Sequence, residues 1–323
     1  MILVTGGLGF IGSHTARALL DLGEPCIVTR HRAAEIPDFL QPDRNARLIV
    51  EELDVEDESA LLDIGRRHRI TGIVHLADPG VLRLWRLPGE GSPLGLDGLF
   101  DSLFHVLEAA RDWGVPRVTI ASTIGVYGGL PPGPWNEETT LPMLAAHAIP
   151  TMKKCSELLS MFLGGQLGID VINVRPSAVW GPGGRAGTSF LALPALVHAA
   201  VHRGRAIPRI PQPLYADEGG DLCYVKDCGR AIALIQTAPT LNHHTYNIGS
   251  GRATTNREVI AAIRRCIPEA AFEVTSGRNP EGPGIDPFLD LTRIHQDAGY
   301  QPAFDIQRGV ADYISWLRAG HER

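Results

Sequence analysis

Cysteine is scarce in this chain: five residues among 323, none of them in a Cys-x-x-Cys pair. Cys26, Cys155, Cys223, Cys228 and Cys266 are scattered and odd in number, which suits reduced thiols rather than a disulfide framework. Long hydrophobic runs are missing too, so no segment qualifies as a transmembrane helix. The strand-like stretch at Met1 leaves no room for a signal peptide, and a cytoplasmic protein is expected. Charge of one sign is not in excess, because 30 basic residues face 36 acidic ones for a net charge of −6. That balance excludes nucleic acid and membrane surfaces as expected partners. Internal repeats and low-complexity linkers are also lacking. Length and composition agree with a soluble enzyme.

What is present begins at once, in Ile2-Leu-Val-Thr-Gly-Gly-Leu-Gly-Phe-Ile-Gly-Ser-His14. The apolar residues read as a buried strand, Gly6, Gly9 and Gly12 as a tight turn, and Ile11 to Leu22 as a helix. A glycine turn between a strand and a helix N-terminus binds anions. Backbone N–H groups and the positive end of the helix dipole meet a pyrophosphate, and missing Cβ atoms let it approach. The Gly-x-x-Gly-x-x-Gly spacing is a variant of the dinucleotide fingerprint. A structural turn without a ligand is the bland alternative, and the flanking strand and helix argue against it.

Strand-like runs recur at Cys26–Thr29, Arg47–Leu53, Gly72–Leu76, Arg117–Ala121 and Val171–Val174, with helical patterns at Glu58–Arg67, Leu99–Trp113 and Met152–Leu167. Such alternation predicts an α/β fold, a doubly wound parallel sheet with helices on both faces. Its ligands sit beyond the carboxyl ends of the strands. After Arg175 the order loosens: a loop at Gly181–Gly187, a helix at Phe190–Val201, an irregular stretch at Pro208–Gly220, then helices near Asn256–Arg265 and Ile306–Leu317. The expected division is a dinucleotide-binding domain over 1–175, with a return segment near 221–248, and a smaller substrate lobe over 176–323.

The turn after the second strand bears on the cofactor. An acidic residue there usually accepts bonds from the adenosine ribose hydroxyls, whereas arginine accommodates a 2′-phosphate. Here Arg30-His31-Arg32 follows Thr29, and the first acid is Glu35. Guanidinium groups suit a phosphate better than a neutral diol, so NADP is the expected cofactor, with NAD the alternative. A solvated basic turn is the plain reading of the same residues.

With these motifs in order, the chain resembles an extended short-chain dehydrogenase/reductase of the NAD-dependent epimerase/dehydratase family, nearly end to end. Thr5–Gly12 resembles its nucleotide turn, including Phe10 and Ile11, and Leu53-Asp54-Val55 the pair that touches adenine. His75-Leu76-Ala77 resembles the strand end beside the cofactor. Leu107-Glu-Ala-Ala-Arg111 precedes Ala121-Ser-Thr-Ile-Gly-Val-Tyr-Gly128, its active-site strand and loop. Arg175-Pro176-Ser-Ala-Val-Trp-Gly-Pro-Gly183 resembles its cleft-crossing segment, and Asp221–Asp227, Tyr246–Gly251 and the helix around Trp316 its closing stretches. The resemblance implies a Rossmann-type fold, Pro176 at the cofactor, and a homodimer through helices near Leu99–Trp113 and Met152–Leu167.

The family's catalytic set is a Ser or Thr, a Tyr and a Lys in a Tyr-x-x-x-Lys helix. Thr123, four residues before Tyr127, matches the hydroxyl, and Lys153 matches the lysine, with Glu157 at the family's Lys-x-x-x-Glu spacing. Four residues before Lys153 stands Ile149, so the catalytic tyrosine is missing. Taking Lys154 instead puts Pro150 there. A positioned proton-transfer group contributes ~10²–10⁴ in rate, and isoleucine neither donates nor accepts. Lys153 still suits the nicotinamide ribose. Among substitutes for the phenol, His147 lies near the helix start and titrates in a useful range. Its bland reading is a solvated histidine. Tyr127 reads as packing beneath the cleft, Lys154 as a solvent-facing neighbour, and Thr123 alone as too weak an acid.

Further departures touch the substrate. Family dehydratases carry Asp-Glu directly after the active-site Thr, where this chain has Ile124 and Gly125. A family Asn aligns with Ala178 and another with Leu99, while Arg278 remains able to meet a diphosphate. His198 and His202 are four apart but lack a third ligand and read as a surface pair, and His243-His244 reads as exposed, so no metal is expected. The leading expectation is an atypical NADP-dependent enzyme for ketone/alcohol interconversion or epimerisation of a polyhydroxylated substrate, a nucleotide sugar among the candidates. A cofactor-binding protein without redox turnover is the alternative, as is lyase- or cyclase-like chemistry on the same fold.

Overall fold

The computed structural model describes residues 1–31, 35–79, 98–131, 133–187, 191–202, 213–282 and 286–321. The expected Arg32, Phe190 and residues 208–212 lie outside them. Seven strands form the main sheet: β1 (Ile2–Thr5), β2 (Cys26–Arg30), β3 (Leu48–Glu52), β4 (Gly72–His75), β5 (Arg117–Ala121), β7 (Asp170–Pro176) and β10 (Thr245–Ile248). Their order is β10-β7-β5-β4-β1-β2-β3, and every pair is parallel. The chain order reverses beside β1, between β2 and β4. An open parallel sheet places its ligand crevice there, beyond the carboxyl ends of the strands.

Strand side chains alternate between two cores. Val4 and Val28 face α1 (Phe10–Asp21) and α6 (Val225–Thr237), whereas Leu3, Ile27, Ile73 and Ile120 face α2 (Glu58–Arg67), α3 (Asp101–Trp113) and α4 (Ala148–Leu167). α2 starts because Asp57 accepts a bond from the Ala60 N–H at 3.0 Å, satisfying a donor that the first turn leaves open. α4 begins four residues before the expected Met152. Pro150 lies in its first turn, where a missing N–H costs no helical bond. α5 (Leu193–Val201) likewise carries a proline in its first turn.

The remaining strands are short. β8 (Ala178–Trp180), β9 (Gly219–Tyr224) and β11 (Ala253–Thr255) make a three-stranded sheet, and β6 (Pro134–Trp135) pairs with β12 (Phe288–Leu289). A third core, around Trp180 and Tyr224, joins α5, α7 (Asn256–Cys266) and α9 (Ile306–Arg318). Between them α8 (Thr292–Ala298) packs back against the main sheet through Ile294. The segment 221–248 is split between sheets: β9 belongs to the small one and β10 to the large one. None of the described helices is long and apolar enough to cross a membrane.

Candidate functional site

The glycine turn is a cradle closed by its own backbone. Gly6 has φ +65°, and its carbonyl accepts the Gly9 N–H at 2.8 Å. A Cβ on Gly12 would lie 2.2 Å from the Gly6 carbonyl oxygen, an impossible contact. Phe10 and Ile11 open α1, which no side chain caps and whose first turn holds no acid. The helix end therefore presents backbone N–H groups and positive dipole to the crevice. Thr5 ties the turn to β4: its Oγ1 accepts the Leu76 and Ala77 N–H groups at 3.2 and 3.3 Å and lies 2.8 Å from His75 Nδ1. Burial lowers the His75 pKa to about 4, with Asp78 opposing and Lys153 assisting. A neutral ring so placed takes the Thr5 proton on Nδ1.

On the far side of β1, Arg30 ends β2. Its Nη2 lies 3.2 Å from Glu52 Oε1, while its buried Nε has no partner among the described residues. His31 Nδ1 stands 3.5 Å from Asp54 Oδ2, and Val55 is buried with its carbonyl 3.4 Å from His105 Nδ1. Arg30 is thus partly balanced by a carboxylate, which the reading of the basic turn did not foresee.

Across β4 and β5 the expected catalytic residues come together only in part. Lys153 Nζ pairs with Asp78 Oδ2 at 2.8 Å, and both side chains are mostly shielded. Thr123 follows β5, and its Oγ1 accepts the Gly125 N–H at 3.1 Å. Ile149 is the second residue of α4, one turn before Lys153 and so on the same face. His147 is exposed and precedes the helix, where its carbonyl accepts Thr151 Oγ1 at 2.9 Å. Lys154 corrects the expectation of a solvent-facing neighbour: its ammonium donates to the carbonyls of Pro142 and Leu144. Asp78 escaped the sequence reading, although an acid directly after His75-Leu76-Ala77 was the available signal.

Beneath this edge runs a buried polar brace. Arg175 donates to both Glu157 oxygens at 2.9 and 2.6 Å and to Tyr127 Oη at 2.8 Å. Tyr127 donates in turn to Asn247 Oδ1 at 2.9 Å and stacks on Trp135. Burial raises the Tyr127 pKa against the pull of the Arg175 charge, so this phenol is a fixed donor. The brace joins α4, β7, β10 and the loop after β5, and sets where Lys153 and Thr123 stand. Pro176, next to Arg175, is buried in the β7–β10 pair.

Beyond Thr123 opens a cavity of about 340 Å³ whose lining includes Ile124, Ala178, Leu193, Tyr215, Asp221 and Asn256. Two positions at which the chain departs from the family pattern it resembles, Ile124 and Ala178, therefore line one space. Arg278 does not reach into it freely, because Asp286 accepts both of its terminal nitrogens at 2.9 and 2.8 Å. His198 is a correction as well. It is buried, with Nε2 3.0 Å from Tyr313 Oη, and is no surface residue. His244 is exposed and stands 3.4 Å from Asp170. No cluster of potential metal ligands occurs among the described residues.

Comparison with known proteins agrees with this geometry. The NAD dependent epimerase/dehydratase family matches residues 2–249. An uncharacterised UDP-glucose epimerase of Bacillus subtilis is 26% identical, over 98% of this chain and 97% of its own length. A dTDP-glucose 4,6-dehydratase of an Actinoplanes species is 27% identical, over 98% of both. Among solved structures, the Thermus thermophilus UDP-glucose 4-epimerase in complex with NAD superimposes with a TM-score of 0.77 at 25% identity, covering 99% of each chain.

Proposed function

The chain belongs to the NAD-dependent epimerase/dehydratase family, and from that premise we propose a nicotinamide-dependent enzyme that oxidises, reduces or epimerises a carbinol of a nucleotide sugar or similar polyhydroxylated substrate. The observation that carries this reading is the glycine cradle, where Gly12 leaves only enough room for backbone to approach backbone. Gly6, Gly9, Phe10, Ile11 and Gly12 hold the pyrophosphate. Asp54 and Val55 flank the adenine, Leu76 and Ala77 line the floor, Lys153 meets the nicotinamide ribose, and Pro176 closes the far side. The dinucleotide supplies hydride exchange when bound. A lobe over 1–175 with the α6–β10 part of 221–248, and a second over the rest of 176–323, enclose the cleft.

The finer parts of the reading are three. The relative of known structure named above holds NAD; a preference for NADP rests on Arg30 and Arg32, and Glu52 offsets part of the Arg30 charge. Ile149 occupies the place of the family's proton-carrying phenol, so Thr123 orients the reacting oxygen and His147, at the head of α4, is the group offered for the proton. Phe104, Leu158, Met161 and Phe162 expose 37–74% of their surface on α3 and α4, an apolar stripe suited to a homodimer. The chemistry and the reduced thiols suit the cytoplasm.

Titration with NADH and NADPH tests the cofactor, followed by nicotinamide absorbance with UDP-glucose and dTDP-glucose. Gly12→Ala abolishes binding of both nucleotides, and tighter binding of NADH than NADPH refutes the role given to Arg30. The second reading, binding without turnover, is favoured by Ile149. It prevails if only Ile149→Tyr turns over substrate, and His147→Ala without effect on an observed rate removes that residue from the mechanism.

A further inference from the structure

The Asp78–Lys153 pair has a position that a purely structural salt bridge would not need. Thr5 is bound to the backbone of Leu76 and Ala77, so the chain leaving β4 runs directly beside the glycine cradle. A Cβ on Gly6 would sit 3.2 Å from the Ala77 N–H nitrogen. Asp78 is the next residue. It therefore lies on the β4–β5 side of the pyrophosphate seat, opposite Arg30 on the β2 side. A dinucleotide that puts its adenosine half over β2 must lay its second half over β4 and β5. Between the pyrophosphate and the Thr123 end of β5, the part of the molecule that passes Asp78 and Lys153 is the second ribose.

That ribose offers a vicinal diol, whose hydroxyls both donate and accept. A carboxylate accepts only and an ammonium donates only. Asp78 and Lys153, 2.8 Å apart with side chains 19% and 12% exposed, supply both halves of what a diol requires. Removing two charges from water is costly, and the pair alone is weak evidence of stabilisation. A ligand hydroxyl that bonds both groups gives the arrangement a use. His75, below them, is held neutral by burial and adds no charge.

We propose that Asp78 is a cofactor-binding residue, which accepts a hydroxyl of the nicotinamide-side ribose and balances the charge of Lys153 beneath the ring. The proposal rests on the nicotinamide-dinucleotide reading above. It has an electrostatic consequence, because the oxidised nicotinamide is cationic and the reduced ring is neutral. With the pair intact, the local charge is close to zero. Asp78→Asn leaves the Lys153 ammonium unopposed and disfavours the oxidised form. Lys153→Met takes the ammonium away from the carboxylate and favours it.

The test measures affinities of the full-length protein for NAD⁺, NADH and ADP, by calorimetry and nicotinamide fluorescence. ADP ends at the pyrophosphate and does not reach Asp78. Asp78→Asn is expected to raise the NAD⁺:NADH dissociation-constant ratio about fivefold, Lys153→Met to lower it by a similar factor, and ADP to bind all three proteins alike. Unchanged ratios in both variants, or ADP weakened in step with the dinucleotides, overturns the assignment. Should Asp78→Asn fail to fold, the sign of the Lys153→Met shift decides alone. Wild-type protein that binds ADP but neither NAD nor NADP, oxidised or reduced, defeats the cofactor reading itself, and the assignment of Asp78 with it.

Discussion

Removing the Glu157 charge should destabilise the fold more than almost any other single change near the cleft. Arg175 and Glu157 expose 6% and 7% of their side chains, so neither charge is relieved by water. Glu157→Gln leaves the guanidinium with a neutral amide in place of a two-oxygen acceptor. Breaking a buried pair from one side costs roughly 3–5 kcal/mol, because the surviving charge stays desolvated. At about 2–4 °C per kcal/mol for a large domain, the unfolding midpoint falls by roughly 6–20 °C. Substituting both partners, Glu157→Leu with Arg175→Met, should recover most of the loss. Tyr127 keeps its acceptor on Asn247 in that variant, so no new buried donor is stranded. Scanning calorimetry of the single and double variants reads the effect. A single variant within about 2 °C of the parent, or a double variant worse than the single, refutes the reasoning.

Two other outcomes follow from the same structure. His14 and His75 are buried and hold pKa values of about 4 against an ordinary 6.5, mainly through desolvation. The unfolded chain then binds more protons between those limits, so stability is full above pH 6.5 and declines as pH falls towards 4, by up to about 3 kcal/mol for each histidine. Denaturant titrations at pH 7 and pH 4.5 measure it, and a His75→Gln variant that keeps the full pH slope of its share contradicts the assignment. For the exposed stripe, Leu158→Glu with Phe162→Glu should convert a dimer to a monomer in sedimentation without lowering the unfolding midpoint of the monomer. Wild-type protein that sediments as a monomer removes the dimer.

The alternation of strands with helices and the glycine cradle were legible because both are local. A strand, a turn without side chains and a helix sit within a dozen residues and declare themselves by periodicity. Pairings between particular side chains were not. Nothing in the neighbourhood of Arg278 signals that Asp286 will occupy both of its nitrogens, and nothing near Lys153 points to an acid 75 positions earlier. His198 looked like half of a surface pair because helical spacing says nothing about which face another helix covers. Tyr313 of α9 covers it. Glu157 was read only as a spacing mark for Lys153, whereas its partner on β7 sets the height of the whole helix.

The placement of β10 has a consequence for synthesis. The outermost strand beside β7 is made of residues 245–248, after the chain has already passed through two of the three strands of the small sheet. Until that stretch leaves the ribosome, β7 shows a bare row of amide and carbonyl groups, an invitation to pair with another nascent chain. A fragment ending at residue 175 would lack the strand, the Asn247 anchor and the helix that covers α1. The nucleotide-binding half must therefore wait for its final third before it can mature, and its folding is governed by the slow arrival of a distant segment rather than by the strands made first.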